Sequence, residues 1–328
     1  MTDLHPAPST DAAPRLIAAR PLRAVEWHRP LLVLAAAMTV LAVVSTIGML
    51  VDDREVTGVS VWAKPLKFAL STVLYSLTLA WLIGQTTRFR RVARLVGTAS
   101  TILLAVELVI ITAFAALGET SHFNVTTPLH TAAWGVMAVS ISTLWGLTFV
   151  MAIILFRTPL GDAARTMSIR AGILIAIVGM GLAFLMTGPQ GDQISDYQGV
   201  VGAHTVGAAD GGPGLPVLGW STEAGDLRIP HFVGMHALQV LPLLAILLEV
   251  AARRVAVLAD ARTRARLVAL GAAGYVAVLA LVTVQALAGE SIVQPSAPTL
   301  LAGAVIALAL AGGAAWALLD SRRRVSAP

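Results

Sequence analysis

Residues 129–156 read LHTAAWGVMAVSISTLWGLTFVMAIILF, a run without Asp, Glu, Lys or Arg that meets Arg157 at its end. At about 1.5 Å per residue a helix over this run outreaches the ~30 Å hydrocarbon core of a bilayer, so the stretch predicts a transmembrane helix. Pro128 suits the first helical turn, with Thr126 or Thr127 as the cap.

Working outward, seven further stretches have the same character, near 31–51, 66–84, 94–118, 170–188, 230–251, 267–288 and 298–319. The third carries Glu107 at its centre, and the fifth stops at Gly188-Pro189. Composition agrees. Of 328 residues, 57% are hydrophobic and 12% charged, half the share of about 25% in soluble domains. Mean hydropathy is +0.80. The absence of cysteine excludes disulfides, thiolate metal sites and iron–sulfur clusters. No GxGxxG followed by an acid, Walker loop or GxSxG occurs, so nucleotide-driven chemistry is not expected. A net charge of +5 does not point to a nucleic-acid partner, because the arginines sit between apolar runs as topology signals.

Those arginines set the orientation. Arg15, Arg20, Arg23 and Arg29 precede the first span; Arg88, Arg90, Arg91 and Arg94 lie between the second and third; Arg157, Arg165 and Arg170 between the fourth and fifth. Arg253, Arg254, Arg262, Arg264 and Arg266 separate the sixth and seventh, and Arg322, Arg323 and Arg324 follow the eighth. Nineteen of the 23 basic residues thus share one side; Arg54, Lys64, Lys67 and Arg228 take the other. The positive-inside rule makes the crowded side cytoplasmic. The expected fold is all-α: a polytopic bundle of eight transmembrane helices over residues 30–320, with cytoplasmic tails at 1–29 and 321–328. The polar first tail has no apolar core before a small-residue cleavage site and is not read as a signal peptide.

The opposite, outer side collects the chemistry. His122, His130, His204, His231 and His236 are there, with ten of the 18 acids, both lysines and the single asparagine, Asn124. The sixth span opens Arg228-Ile-Pro-His231-Phe-Val-Gly-Met-His236-Ala-Leu-Gln239-Val-Leu-Pro242. Projected at about 100° per residue, Arg228, His231, His236 and Gln239 share one arc of roughly 140° that should face the bundle interior. Pro242 frees the Leu238 carbonyl and is expected to kink the helix there. Lys67, Ser71 and Tyr75 descend one face of the second span, and Tyr75, Glu107 and Gln239 come out at similar depth. A carboxylate at that depth should be protonated or paired, with Lys67 or Tyr75 as candidate partners of Glu107. Lys64 is expected to snorkel to the interface beside Trp62.

The connection at 189–229 holds nine glycines and the run Ala209-Asp-Gly-Gly-Pro-Gly-Leu-Pro216. It reads either as an ordered cap over the outer mouth or as a loose exterior loop. Imidazoles at matched depth, His130 and His231, would suit axial haem ligation. His122, His204, His231, His236 and Asp210 would suit a divalent metal. No HxxH, HxxxH or HExxH spacing reinforces either.

Several strings look like those of a family of uncharacterised multi-pass membrane proteins of high-GC bacteria: Trp62-Ala-Lys-Pro-Leu-Lys67-Phe, Ser121-His-Phe-Asn124, His204-Thr-Val-Gly, Asp210-Gly-Gly-Pro-Gly-Leu-Pro216, Gly225-Asp-Leu-Arg228 and His231-Phe-Val-Gly-Met-His236-Ala-Leu-Gln239. The resemblance covers roughly residues 55–245 and implies eight helices in a bacterial plasma membrane. It brings no activity with it.

The first functional expectation is therefore a haem- or metal-dependent membrane enzyme or redox protein with an outward-facing histidine pocket. Glu107, Lys67, Tyr75, Gln239 and Arg228 would act there, and His231 and His236 would hold a cofactor. The alternatives are a proton-coupled permease, and a protein that binds a small molecule or assembly partner from the outer side without turnover.

Overall fold

The computed structural model describes residues 25–325; most of the expected N-terminal tail, including Arg15, Arg20 and Arg23, lies outside the described residues. Ten α-helices carry the described fold. They are α1 (Arg29–Val51), α2 (Ala63–Gln85), α3 (Arg90–Leu117), α4 (Pro128–Phe156), α5 (Ala163–Gly181), α6 (Gly191–Ser195), α7 (Arg228–Met235), α8 (Ala237–Ala251), α9 (Ala261–Leu287) and α10 (Ala297–Val325). Two antiparallel two-residue pairs accompany them: β1 (Glu55–Val56) with β2 (Val59–Ser60), and β3 (Thr205–Val206) with β4 (Gly225–Asp226). Seven helices are long and apolar enough to cross a membrane, and α7 with α8 pass the same test as one bent pair. The chain is thus a helical bundle with seven or eight candidate spans.

Local chemistry sets the helix ends. Thr127 accepts from the His130 amide and Pro128 occupies the first turn of α4. Asp162 and Asp260 cap α5 and α9 in the same way. Gly118, at φ 75°, ends α3. The fifth span differs from expectation. It begins at Ala163, seven residues before 170, and after Gly181 it tightens into a 3-10 turn over Leu182–Met186. The last helix continues to Val325, so the expected C-terminal tail begins as helix.

Helix α1 lies along α2, α5 touches α4, α7, α8 and α9, and α10 leans on α9. Outward faces are apolar: Val33, Leu50 and Leu308 are 70%, 79% and 73% exposed. Such a surface suits lipid rather than water and suggests a multi-pass membrane protein.

The closest helix crossing sits at glycines. A Cβ on Gly179 would lie 2.2 Å from the Gly234 carbonyl carbon, so α5 and α7 meet backbone to backbone. His231 Nδ1, 2.8 Å from the Gly179 carbonyl, donates to it and locks the crossing. The expected kink at Pro242 is displaced. The pair α7/α8 bends by 42°, and the break falls at His236. There the Gln239 amide bonds the His236 carbonyl, a tightened turn one residue short of the α pattern. The clamp at Gly179 fixes α7, and Pro242 gives no amide to Leu238. The chain therefore changes direction between these two constraints.

The bundle has two unlike ends. Residues 86–89, 157–162 and 252–260 make short turns at one. At the other, the β1–β2 hairpin, loop 118–127 and the long connection 187–227 interlock. Asn124 bridges Val200, the Val125 amide donates to Gly199, and the Val201 amide to Phe123. The hairpin meets the glycine run, with an added Gly58 Cβ 3.0 Å from the Gly211 carbonyl oxygen. The connection 189–229 thus packs against loop 118–127 and the hairpin and covers this end of the bundle.

Candidate functional site

Beneath that cap lies a chamber of about 890 Å³. Five spans build its wall. From α2 come Lys64, Lys67, Phe68, Ser71 and Tyr75; from α3, Leu104, Glu107, Leu108 and Ile111; from α4, Trp134, Met137, Ile141 and Leu144; from α5 and its 3-10 turn, Ala176, Met180 and Phe184; from α7 and α8, Arg228, His231, Met235 and Leu238. The lid contributes His122, Gln190, Gln193, His204 and the stretch 207–212. Polar side chains gather under the lid. Toward the floor the wall becomes mostly apolar, around Leu104, Leu144 and Leu238, with Thr72, Tyr75 and Thr148 as its polar groups. Tyr75, twelve residues below the start of α2, lies about 18 Å down the helix axis. Beyond it the bundle is filled by Leu79, Leu82, Val96, Leu155, Ile169 and Ile173, so the chamber is blind.

The lid is held by charged groups folded into it. Asp226 is 1% exposed; it accepts from the Ser221 and Arg228 amides and from the Arg228 guanidinium at 2.6 and 2.9 Å. Arg228 also donates to the Gly219 carbonyl at 2.5 Å. Lys67 Nζ donates to Leu218 at 2.6 Å, so α2 and α7 grip the same tight loop. Asp210 accepts from the His204 and Thr205 amides and lies 2.7 Å from His204 Nδ1. Burial pushes the Asp210 carboxyl up, but the His204 side chain and these amides outweigh it and hold it well below the usual carboxylate range. Burial lowers the His204 imidazole in spite of the Asp210 contact. Gln193 clamps Gly202 through both its oxygen and its nitrogen.

Glu107 is 3% exposed, and its Oε1 lies 3.7 Å from His122 Nε2. Its Oε2 has no hydrogen-bond partner. His122 is wrapped by Phe68, Phe123 and Trp134, with ring centroids 5.2 to 6.1 Å away. Burial holds its imidazole well below the ordinary value, and the nearby Lys64 and His204 charges add to this. His122 is therefore neutral at pH 7, and its contact with Glu107 is polar rather than ionic. Its Nδ1 lies 3.2 Å from Ser121 Oγ.

The structure brings together Glu107, Lys67, Tyr75, Arg228, His122, His204, His231 and Asp210 around one chamber. It leaves out His236 and Gln239. His236 sits behind the wall with Nε2 3.3 Å from Ser71 Oγ, and the Gln239 side chain is half-buried with Oε1 unpartnered. The bend at His236 carries both away from the face that Arg228 and His231 present. The expected partners of Glu107 are corrected as well: neither Lys67 nor Tyr75 bonds it, and His122 and the Lys64 charge stand nearest. Lys64 does not snorkel outward. It lines the chamber, 6.0 Å from the Phe68 ring. Its spacing of three from Lys67 places both on one helix face, a signal the sequence carried.

Among the described residues no group of three or more His, Asp or Glu converges, so the expected divalent-metal set of His122, His204, His231, His236 and Asp210 is not assembled. His204 Nδ1 meets Asp210, and His231 Nδ1 meets the Gly179 carbonyl. His130, the expected haem partner of His231, lies 2.8 Å from Glu119 instead. Comparison of the chain with protein-family models, curated proteins and solved structures returns no match.

Proposed function

We propose that this chain is an eight-span protein of a bacterial plasma membrane that binds an amphiphilic small molecule in a chamber opening to the outer side. The bent pair α7/α8 counts as one span. The arginine-rich end, with both termini, faces the cytoplasm, as the partition of basic residues supports. One observation carries the reading: a single blind chamber that is polar under an ordered lid and apolar at its floor. Such a gradient accommodates a molecule with a polar head and a hydrocarbon tail. A membrane-spanning path would need an open route through the floor, where Leu79, Leu82, Leu155, Ile169 and Ile173 pack. Binding is therefore favoured over permeation.

A second reading rests on Glu107. A buried carboxylate with one free oxygen, beside a neutral imidazole, is equipped to exchange a proton with a bound molecule. The chamber would then be an acid–base site acting on the amphiphile.

Two measurements test the main reading. Mass spectrometry of the detergent-purified protein should find a stoichiometric amphiphile released on denaturation; a ligand-free protein that also takes up no amphiphile overturns it. The chain has no native cysteine, so topology is directly readable. A membrane-impermeant maleimide should label Glu223→Cys in intact cells and Arg253→Cys only after lysis.

A further inference from the structure

The chain's two lysines, Lys64 and Lys67, both face the chamber from the first turn of α2. Among the described residues neither ammonium has a carboxylate within 4.0 Å, whereas Arg228 beside them is consumed by Asp226. Lys67 spends one of its three N–H groups on Leu218. Among the described residues Lys64 makes no hydrogen bond; its neighbours are the Phe68 ring and the more distant charges of Glu107, Lys67, Arg228 and Asp210. Taking an ammonium out of water without a paired anion is costly, and a folded chain normally closes that gap with a carboxylate. Here the gap opens onto an enclosed space large enough for a ligand.

We infer that the chamber's ligand is an anionic amphiphile, its phosphate or carboxylate seated between Lys64 and Lys67 and its tail on the apolar floor. This rests on the binding reading above and names the ligand's class. Two ammonium groups three residues apart present a divided positive charge that a multi-oxygen anion bridges. The tail points away from the lysines, because Ser71 and Tyr75 continue the same face of α2 toward Leu104 and Leu238.

The test uses the full chain in nanodiscs or mild detergent, with native mass spectrometry as readout. The probes are phosphatidylglycerol, phosphatidylcholine with matched chains, glycerol phosphate and inorganic phosphate. Phosphatidylglycerol should be retained roughly tenfold over phosphatidylcholine, a preference that Lys64→Gln removes and Lys64→Arg keeps. Lys64→Gln is the primary variant because it breaks no hydrogen bond; Lys67→Gln also releases Leu218 and is read only alongside a thermal-unfolding control. Equal retention of the two lipids, unchanged in Lys64→Gln, overturns the headgroup inference and leaves the chamber reading standing. Failure of every amphiphile overturns both. Retention of inorganic phosphate or glycerol phosphate as strong as that of the lipid makes the ligand a soluble anion and overturns the amphiphile.

Discussion

The two ends of this bundle use charge in opposite ways. At the arginine end, charges find each other across helix boundaries. Arg165 pairs with Glu249 to join α5 and α8, Arg264 with Asp162 at 2.9 Å, and Arg266 with Asp320 to join α9 and α10. Arg90 and Arg94 share Glu26. At the lid end Arg228 pairs with Asp226, His204 with Asp210 and Arg54 with Asp52, but Lys64, Lys67 and Glu107 line the chamber. What separates the two ends is where the charges without an ion pair lie: Arg88, Arg91, Arg253 and Arg254 are exposed at the arginine end, whereas Lys64 and Lys67 line the chamber. The comparison teaches that cationic groups enclosed without a carboxylate partner are the feature that sets the lid end apart, and it is this feature that the proposed ligand would complete.

The hardest way to break the contrast is to separate the helices that carry it. Gly234→Val puts side-chain atoms where the Gly179 backbone already lies. Overpacking at a backbone crossing should cost about 3 kcal/mol or more. The variant should lose its monodisperse peak in gel filtration, while Gly135→Ala, whose added Cβ meets nothing within 4 Å, should behave as the parent. A stable Gly234→Val protein would mean that α5 and α7 do not cross there.

Next in size is Asp226→Asn. It leaves the Arg228 guanidinium and the Ser221 amide short of a charged acceptor. Removing one partner of a buried pair costs about 3–5 kcal/mol. The loss should be confined to the lid, with hydrogen exchange accelerating over 204–227 and unchanged over 157–165. Equal acceleration at both ends would deny that the lid is a separate cooperative unit.

Acid should loosen the ends unequally. Burial lowers the imidazoles of both His122 and His204 from the ordinary 6.5. The unfolded chain then binds more protons than the folded one below that value. The stability they contribute is complete above pH 6.5 and declines as pH falls beneath it. Each such group accounts for about 1.4 kcal/mol per pH unit until its folded value is reached. The arginine end holds one comparable group, His28, at the start of α1. Between pH 7.5 and 5.5, exchange should therefore rise more over 118–127 and 200–210 than over 86–94. A uniform rise would remove the distinction.

Much of the architecture was legible because bilayer thickness leaves a mark in sequence. Runs such as 129–156 need only length and absence of charge to be recognised. The wall of the chamber was partly legible, since Glu107, Lys67, Tyr75 and Arg228 were placed by depth and helical face. The loss of His236 and Gln239 from the site has one cause. Projecting Arg228 to Gln239 as one straight helix assumes an unbroken axis, and the break at His236 turns His236 and Gln239 out of the chamber. That break depends on Gly179, about fifty residues earlier in the chain, and no local pattern reports it. His204 and Asp210 were expected as separate ligands. Their mutual contact arises from the turn between them, which only the folded lid displays.

The smallest expected effect probes the other side of the comparison. Arg264 donates to Asp162, which caps α5, and to the carbonyls of Leu258 and Ala259 before α9. Asp162 also accepts from the Arg165 amide, so the cap survives without the arginine. The guanidinium–carboxylate pair is partly exposed, 13% and 24% at the two side chains, which places Arg264→Gln near 1 kcal/mol. The glutamine still reaches part of the hydrogen-bonding positions, so the change tests charge more than shape. Thermal unfolding should shift slightly downward, and the shift should shrink in high salt. Ligand retention in the chamber should be unaltered, because the aliphatic floor around Leu79, Leu155 and Ile173 stands between the two ends. A drop in retention would mean that the closed end and the open end are coupled through that floor. The bundle would then act as one two-state unit rather than as a fixed frame with a lidded chamber.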